Sequence, residues 1–227
     1  MTAWLIVAAL AAVAAVDTYD FFQGMFYQPL VIASLVGAAL GSPLEGAWVG
    51  ALLQLLRFSE LPLGTGIFPD MGPVAAGLAG GLIIALGGER TFDLGLAALL
   101  MLLIAAPAAT VGGLLIKFQV GQQERLAVRA LAAVERHGPG RLRRFLAAGI
   151  GLSALRGALL GTVCAALAGL AAMAAGALPG WRLPPYALLA GMIAAGLVNV
   201  LGLFLERRLI LWLVAGACLG GVGTLLL

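Results

Sequence analysis

Charge is what this sequence has least of. Its 227 residues include 10 acids, 13 Lys/Arg and one histidine, and charged residues make up 10% of the chain. A soluble domain carries about 25%, and one this poor in charge would have to expose apolar patches that soluble monomers avoid. The single histidine, His137, sits in a Gly/Pro-rich turn and reads as a solvated loop residue. With one histidine there is no Cys-His or Ser-His-Asp set, and neither a phosphate-cradling glycine loop nor a metal-ligand cluster can be assembled. No enzyme, metal or cofactor site is therefore expected in this chain alone. The two cysteines, Cys164 and Cys218, lie far apart in apolar runs and read as small buried hydrophobes.

Long apolar runs fill the space that charge leaves. Residues AVILMFWYC make up 63% of the chain, and its mean hydropathy is +1.10. Segments 94–116 and 183–205 contain no Asp, Glu, Lys, Arg or His, and 157–181 is similarly free of charge. A run of about 23 residues makes a helix of about 35 Å, enough to cross a ~30 Å hydrocarbon core. Met1–Val16 has no basic residue ahead of it, unlike a signal peptide, so it reads as a retained first helix. The C-terminal third supplies spans near 148–178, 183–205 and 209–227, the last two separated by Glu206-Arg207-Arg208. Trp181, Arg182 and Pro184-Pro185 suggest an interfacial anchor. The fold class is all-α: one polytopic transmembrane domain over residues 1–227.

The first third is not a simple series of spans. Phe26–Leu44 holds Pro29, Gly37, Gly41 and Pro43, Gly46–Leu56 has 11 residues between Glu45 and Arg57, and Leu61–Pro69 holds Pro62, Gly64, Gly66 and Pro69. Short pieces broken by Gly and Pro are tolerated at membrane depth only when buried in protein or lining a polar cavity, and in transporters they point to the substrate site. Re-entrant segments are expected here. Glycines paired four apart at 37/41, 46/50, 77/81, 157/161 and 216/220 predict close helix packing.

Positive charge is concentrated. Between Lys117 and Arg144 there are seven Lys/Arg against Glu124 and Glu135. Such a loop stays cytoplasmic and lies against an anionic leaflet, which accounts for the net charge of +3 without nucleic acid. Leu126, Val128, Leu131 and Val134, set among Arg125, Arg129 and Arg136, predict an amphipathic helix broken at His137-Gly138-Pro139-Gly140. Residues 118–147 are thus expected to form a cytoplasmic basic loop, with a second use as a docking site for soluble proteins left open.

Polar side chains inside apolar surroundings carry the functional signal. The candidates are Asp17, Asp20, Gln28, Gln54, Asp70 and Asn199. Asp70 follows Pro69 and precedes the apolar run from Met71, so it either caps that helix or binds a hydroxylated ligand. Gln54 and Asn199 either join helices by hydrogen bonds or face a ligand. The charge-free segments hold no paired acids or cations, which favours a neutral polar solute over an ion. Amides, one or two carboxylates and backbone exposed by glycine suit a sugar.

Five short stretches carry a family resemblance. Phe26-Tyr27-Gln28-Pro29-Leu30 is followed by Leu35–Gly41 and Glu45–Ala51, then by Leu61-Pro62-Leu63-Gly64-Thr65-Gly66 and Phe68-Pro69-Asp70. This order resembles the membrane IIC component of the mannose/fructose/sorbose family of sugar phosphotransferase systems. The resemblance implies a sugar-translocating subunit in the bacterial cytoplasmic (inner) membrane that pairs with a IID-like membrane subunit in an oligomeric complex. It implies an elevator-like movement, and phosphoryl transfer by cytoplasmic IIA and IIB proteins rather than by this chain. Together with the residue reading above, it puts the expected substrate site at Gln28, Gln54, Gly64, Thr65, Gly66, Asp70 and Asn199. The chain departs from the family pattern at Gln54, where a carboxylate is common, and at Gln28, where a basic residue can stand. It also lacks an asparagine-rich central loop. The alternatives are a non-transporting membrane scaffold or sensor that recruits cytoplasmic proteins, and a vitamin or ion uptake subunit.

Overall fold

The computed structural model describes residues 1–20, 23–57, 69–87, 93–178, 183–184, 186–188 and 190–194. Six helices carry the described fold: α1 (Thr2–Tyr19), α2 (Pro29–Ala39), α3 (Pro43–Arg57), α4 (Met71–Leu86), α5 (Leu94–His137) and α6 (Leu142–Gly176). One 3₁₀ turn, Pro139–Arg141, joins the last two, and no strand occurs among the described residues. The expected spans 183–205 and 209–227 lie mostly outside the described residues.

Glycine and proline set the local boundaries. Proline opens α2 at Pro29, where its missing N–H costs nothing. The helix closes in a Schellman motif: Ser42 N–H bonds Gly37 O at 2.8 Å, Gly41 N–H bonds Ala38 O at 3.3 Å, and Gly41 takes φ +81°. Gly41 therefore serves a turn, and a Cβ there would meet nothing within 4 Å, so it is not the packing glycine its spacing predicts. Pro43 starts α3 directly, one turn before the Gly46–Leu56 piece expected from charge alone. A Cβ on Gly46 would fall 2.7 Å from Gly37 Cα, and one on Gly50 would fall 2.9 Å from Leu30 Cα. Positions rise on one helix as they fall on the other, so α2 and α3 form an antiparallel hairpin. At 11 and 15 residues they reach about 16 and 22 Å, short of a ~30 Å core.

Helix α4 is the centre. Every residue from Met71 to Ile83 is buried, the property of a helix surrounded by protein on all sides. Its Gly77 and Gly81 lie against Gly161 and Ala165 of α6, so α4 and α6 run parallel. Gly157 and Gly161 of α6 lie against Ala11 and Ala15 of α1, which runs opposite to them. The first helix is thereby part of the core, contributing Val7, Ala11 and Ala14.

The outer helices carry small residues inside and large ones outside. On α5, Ala97, Ala105 and Ala109 are buried, while Leu103, Val111 and Leu114 are exposed; α6 buries Ala165 and Ala168 and exposes Leu159, Val163 and Leu170. Close contact through small residues, with bulky apolar groups turned outward, is the pattern of helices packed in lipid.

The basic segment is helical up to the expected break, and it is the continuation of the span before it: α5 runs from Leu94 through 44 residues, about 66 Å. Nothing near Lys117 breaks a helix. The break falls at Gly138, with φ +82°, and Pro139, after which α6 returns for 35 residues. Lys117, Arg125, Arg129, Arg141, Arg143 and Arg144 are all exposed on this hairpin.

Candidate functional site

Chain geometry places Asp70 where α4 begins and segment 58–68 ends. Its backbone N–H donates to Ala109 O of α5 at 3.0 Å. The approach depends on Gly112, where a Cβ would fall 2.7 Å from Asp70 Cβ. Capping predicts that the Asp70 carboxylate accepts from the first amides of α4, but it makes no such bond. It pairs instead with Arg156 Nη1 of α6. Asp70 is 2% exposed and Arg156 8% exposed, so both charges are out of water, and each requires the other.

Arg156 is also held from the side. Its Nε–H donates to Gln119 Oε1 at 2.6 Å. The Gln119 amide then donates to Ser153 Oγ, and Gln123 Nε2 donates to Asp20 Oδ1 at 3.1 Å and reaches Ser153 Oγ at 3.5 Å. The result is one line of polar groups from the start of α4 to the end of α1, running between α5 and α6. Arg156 Nη2 and Asp20 Oδ2 are buried and meet no hydrogen-bond partner among the described residues.

Sequence reasoning passes over Arg156, which lies one residue before a charge-free run. The signal that would have found it is spacing. Gly112, Gln119 and Gln123 are seven and four apart on α5; Gly149, Ser153 and Arg156 are four and three apart on α6. Each set lies on one helix face, and the two faces meet.

A second polar pair joins the ends of the hairpin. Gln54 Nε2 of α3 donates to Gln28 Oε1 at 3.0 Å, and Gln54 Oε1 accepts from Leu30 N–H at 3.4 Å, at the N-terminus of α2. The turn that delivers Gln28 is ordered by Asp17, 2% exposed on α1. Its two oxygens accept from Gly24 N–H at 2.6 Å and Tyr27 N–H at 3.2 Å, and Gln23 and Met25 take positive φ beside them. Tyr27 backbone packs on Gly72, where a Cβ would meet it at 3.1 Å. The turn leading to Gln28 and the start of α4 are thus neighbours. Gly64, Thr65, Gly66 and Asn199 lie outside the described residues.

Around Asp70 the chemistry is hydrogen bonding. Two amides, a paired carboxylate and a guanidinium offer donors and acceptors, and no group of three metal-ligating side chains occurs among the described residues. A cavity of about 540 Å³ opens further along, between the basic ends of α5 and α6, with Asp20, Gln123 and Phe145 among its walls.

Three comparisons bear on this arrangement. The family described as "PTS system sorbose-specific iic component" matches residues 1–224. No curated protein matches the sequence. Among solved structures, a membrane protein is similar with a TM-score of 0.62 and 21% identity, over 100% of this chain and 93% of the other. A chain from the cryo-EM structure of the mannose transporter ManYZ with microcin E492 is similar with a TM-score of 0.55 and 20% identity, over 99% of this chain and 92% of the other. At these identities the two structures establish likeness of fold.

Proposed function

The chain belongs to the sorbose-specific IIC family of the phosphotransferase system, and we propose that it binds and translocates a hexose-like sugar together with a IID-type membrane subunit. It is a membrane component of a sugar-transport family. The single observation that supports the finer reading is where the polar groups sit. The amide pair Gln28–Gln54 and the buried Asp70–Arg156 pair flank a hairpin too short to cross and the end of segment 58–68. Neutral amides and a charge-compensated ion pair suit a ligand with many hydroxyls and no charge, because hydrogen bonds are available and no net field must be neutralised.

In this reading Gln28, Gln54 and Asp70 border the sugar, and Gly64, Thr65, Gly66 and Asn199 complete the site. The chain crosses the bacterial cytoplasmic membrane several times, with residues 118–147 on the cytoplasmic side. There, soluble IIA and IIB proteins phosphorylate the sugar. The large outward apolar residues of α5 and α6 face lipid and the partner subunit.

The test is binding of mannose, fructose and sorbose to the complex purified with its IID-type subunit. Gln54→Leu removes both hydrogen bonds of that amide and leaves Gln28 and the Leu30 amide unsatisfied. A loss of roughly 1–3 kcal/mol, or about 5- to 150-fold in affinity, is expected for the preferred sugar. Full affinity in an intact Gln54→Leu complex would remove Gln54 from the site; binding of none of the three sugars by the native complex would reject the substrate class.

A further inference from the structure

Arg156 has one hydrogen-bonding group more than its surroundings use. Nη1 is taken by Asp70 and Nε by Gln119, yet Nη2 is buried without a partner among the described residues. Buried donors are nearly always paired, and one left open calls for an explanation. Here the guanidinium is fixed on two sides by a carboxylate and an amide, so its third nitrogen is held in one place, as a recognition group must be. Asp70 cancels its charge, so Nη2 offers a strong donor without attracting anions in general. The ion pair with Asp70 ties this guanidinium to the N-terminus of α4, which borders the proposed sugar site.

We infer that Arg156 is a sugar-contacting residue whose Nη2 donates to one hydroxyl oxygen of the transported sugar, with Asp70 and Gln119 as its positioning residues. The inference rests on the proposed function and adds to it a donor and a charge rule. The site takes an uncharged hydroxyl beside a neutral ion pair, which offers no net positive charge to compensate the phosphate of a phosphorylated sugar.

Two variants in the complex with the IID-type subunit test this. Arg156→Lys keeps the positive charge beside Asp70 but removes the planar fork. Asp70→Asn/Arg156→Gln replaces the ion pair by two neutral amides and serves if the lysine variant fails to assemble. Affinity for mannose, fructose and sorbose is measured, then for the monodeoxy analogues of whichever binds best. Loss of a charge-assisted hydrogen bond predicts a fall of about 10- to 150-fold in either variant. One deoxy analogue that binds the native complex weakly should lose no further affinity in the variant, because donor and acceptor act as a pair. A structural role alone would lower affinity for every analogue by the same factor, and that outcome overturns the inference. So does unchanged affinity in an assembled variant. If the native complex binds none of the sugars, the proposed function fails first; if it binds and only the deoxy pattern is insensitive to Arg156, the function stands and the inference falls.

Discussion

Removing one charge from the Asp70–Arg156 pair should damage the protein far more than removing both. Asp70→Asn keeps the size of the side chain and one acceptor oxygen, and Asn caps a helix about as well as Asp. If Asp70 served only the N-terminus of α4, this change would be close to neutral. The structure instead places Asp70 against Arg156 with both side chains over nine-tenths buried. An exposed pair is worth about 0–1 kcal/mol. Breaking a buried pair costs about 3–5 kcal/mol, because it strands a charge without a counter-ion. For a chain of this size that corresponds to a fall in Tm of roughly 6–20 °C, taking the scale of soluble domains. Arg156→Met strands the opposite charge and should cost a similar amount. The double variant Asp70→Asn/Arg156→Met strands neither, and its cost reduces to the unsatisfied Gln119 oxygen, about 1–3 kcal/mol. Thermal unfolding of the four proteins in nanodiscs, followed by tryptophan fluorescence, measures the cycle. The coupling should favour the double variant by more than about 2 kcal/mol relative to the sum of the singles. An Asp70→Asn protein as stable as the native one, or strictly additive costs, would refute the argument.

Three further outcomes follow from the helix packing and the basic segment. Gly81 of α4 packs directly on the Ala165 backbone of α6, so Gly81→Val should overpack that contact and cost about 1–3 kcal/mol, read as reduced thermal stability. The same change at Gly41 meets no neighbour but forces a β-branched residue to φ +81°, so its cost is local to the turn. Arg136→Cys near the end of α5 should resist an impermeant thiol reagent in intact cells and react after permeabilisation; efficient labelling from outside would reverse the proposed orientation.

Several features were legible in the residues because their causes are local. Scarce charge and long apolar runs place the chain in a membrane family whatever its neighbours are. Pro29, Pro43 and the Gly138-Pro139 pair set helix boundaries through their own backbone constraints. Among the described residues the glycine pairs 46/50, 77/81 and 157/161 mark close contacts, since a missing side chain is useful wherever a backbone approaches, while 216/220 lies outside the described residues. The same local signals leave other matters open. No residue near Lys117 says whether a basic stretch is a loop or the continuation of a helix, and α5 simply runs on.

Asp70 shows the limit most plainly. From its neighbours it is a carboxylate after a proline at the head of a helix, and capping is the reading that local chemistry supplies. Its partner lies 86 positions away, on a helix brought beside it only because Gly77, Gly81, Gly157 and Gly161 allow α1, α4 and α6 to touch. Composition and backbone constraints determined that this protein is a bundle of membrane helices with broken pieces and polar residues to spare. Only the tertiary structure decided which of those polar residues face one another, because a buried charge is stabilised by whatever the packing brings within a few ångströms, and that separation is not written in neighbouring residues.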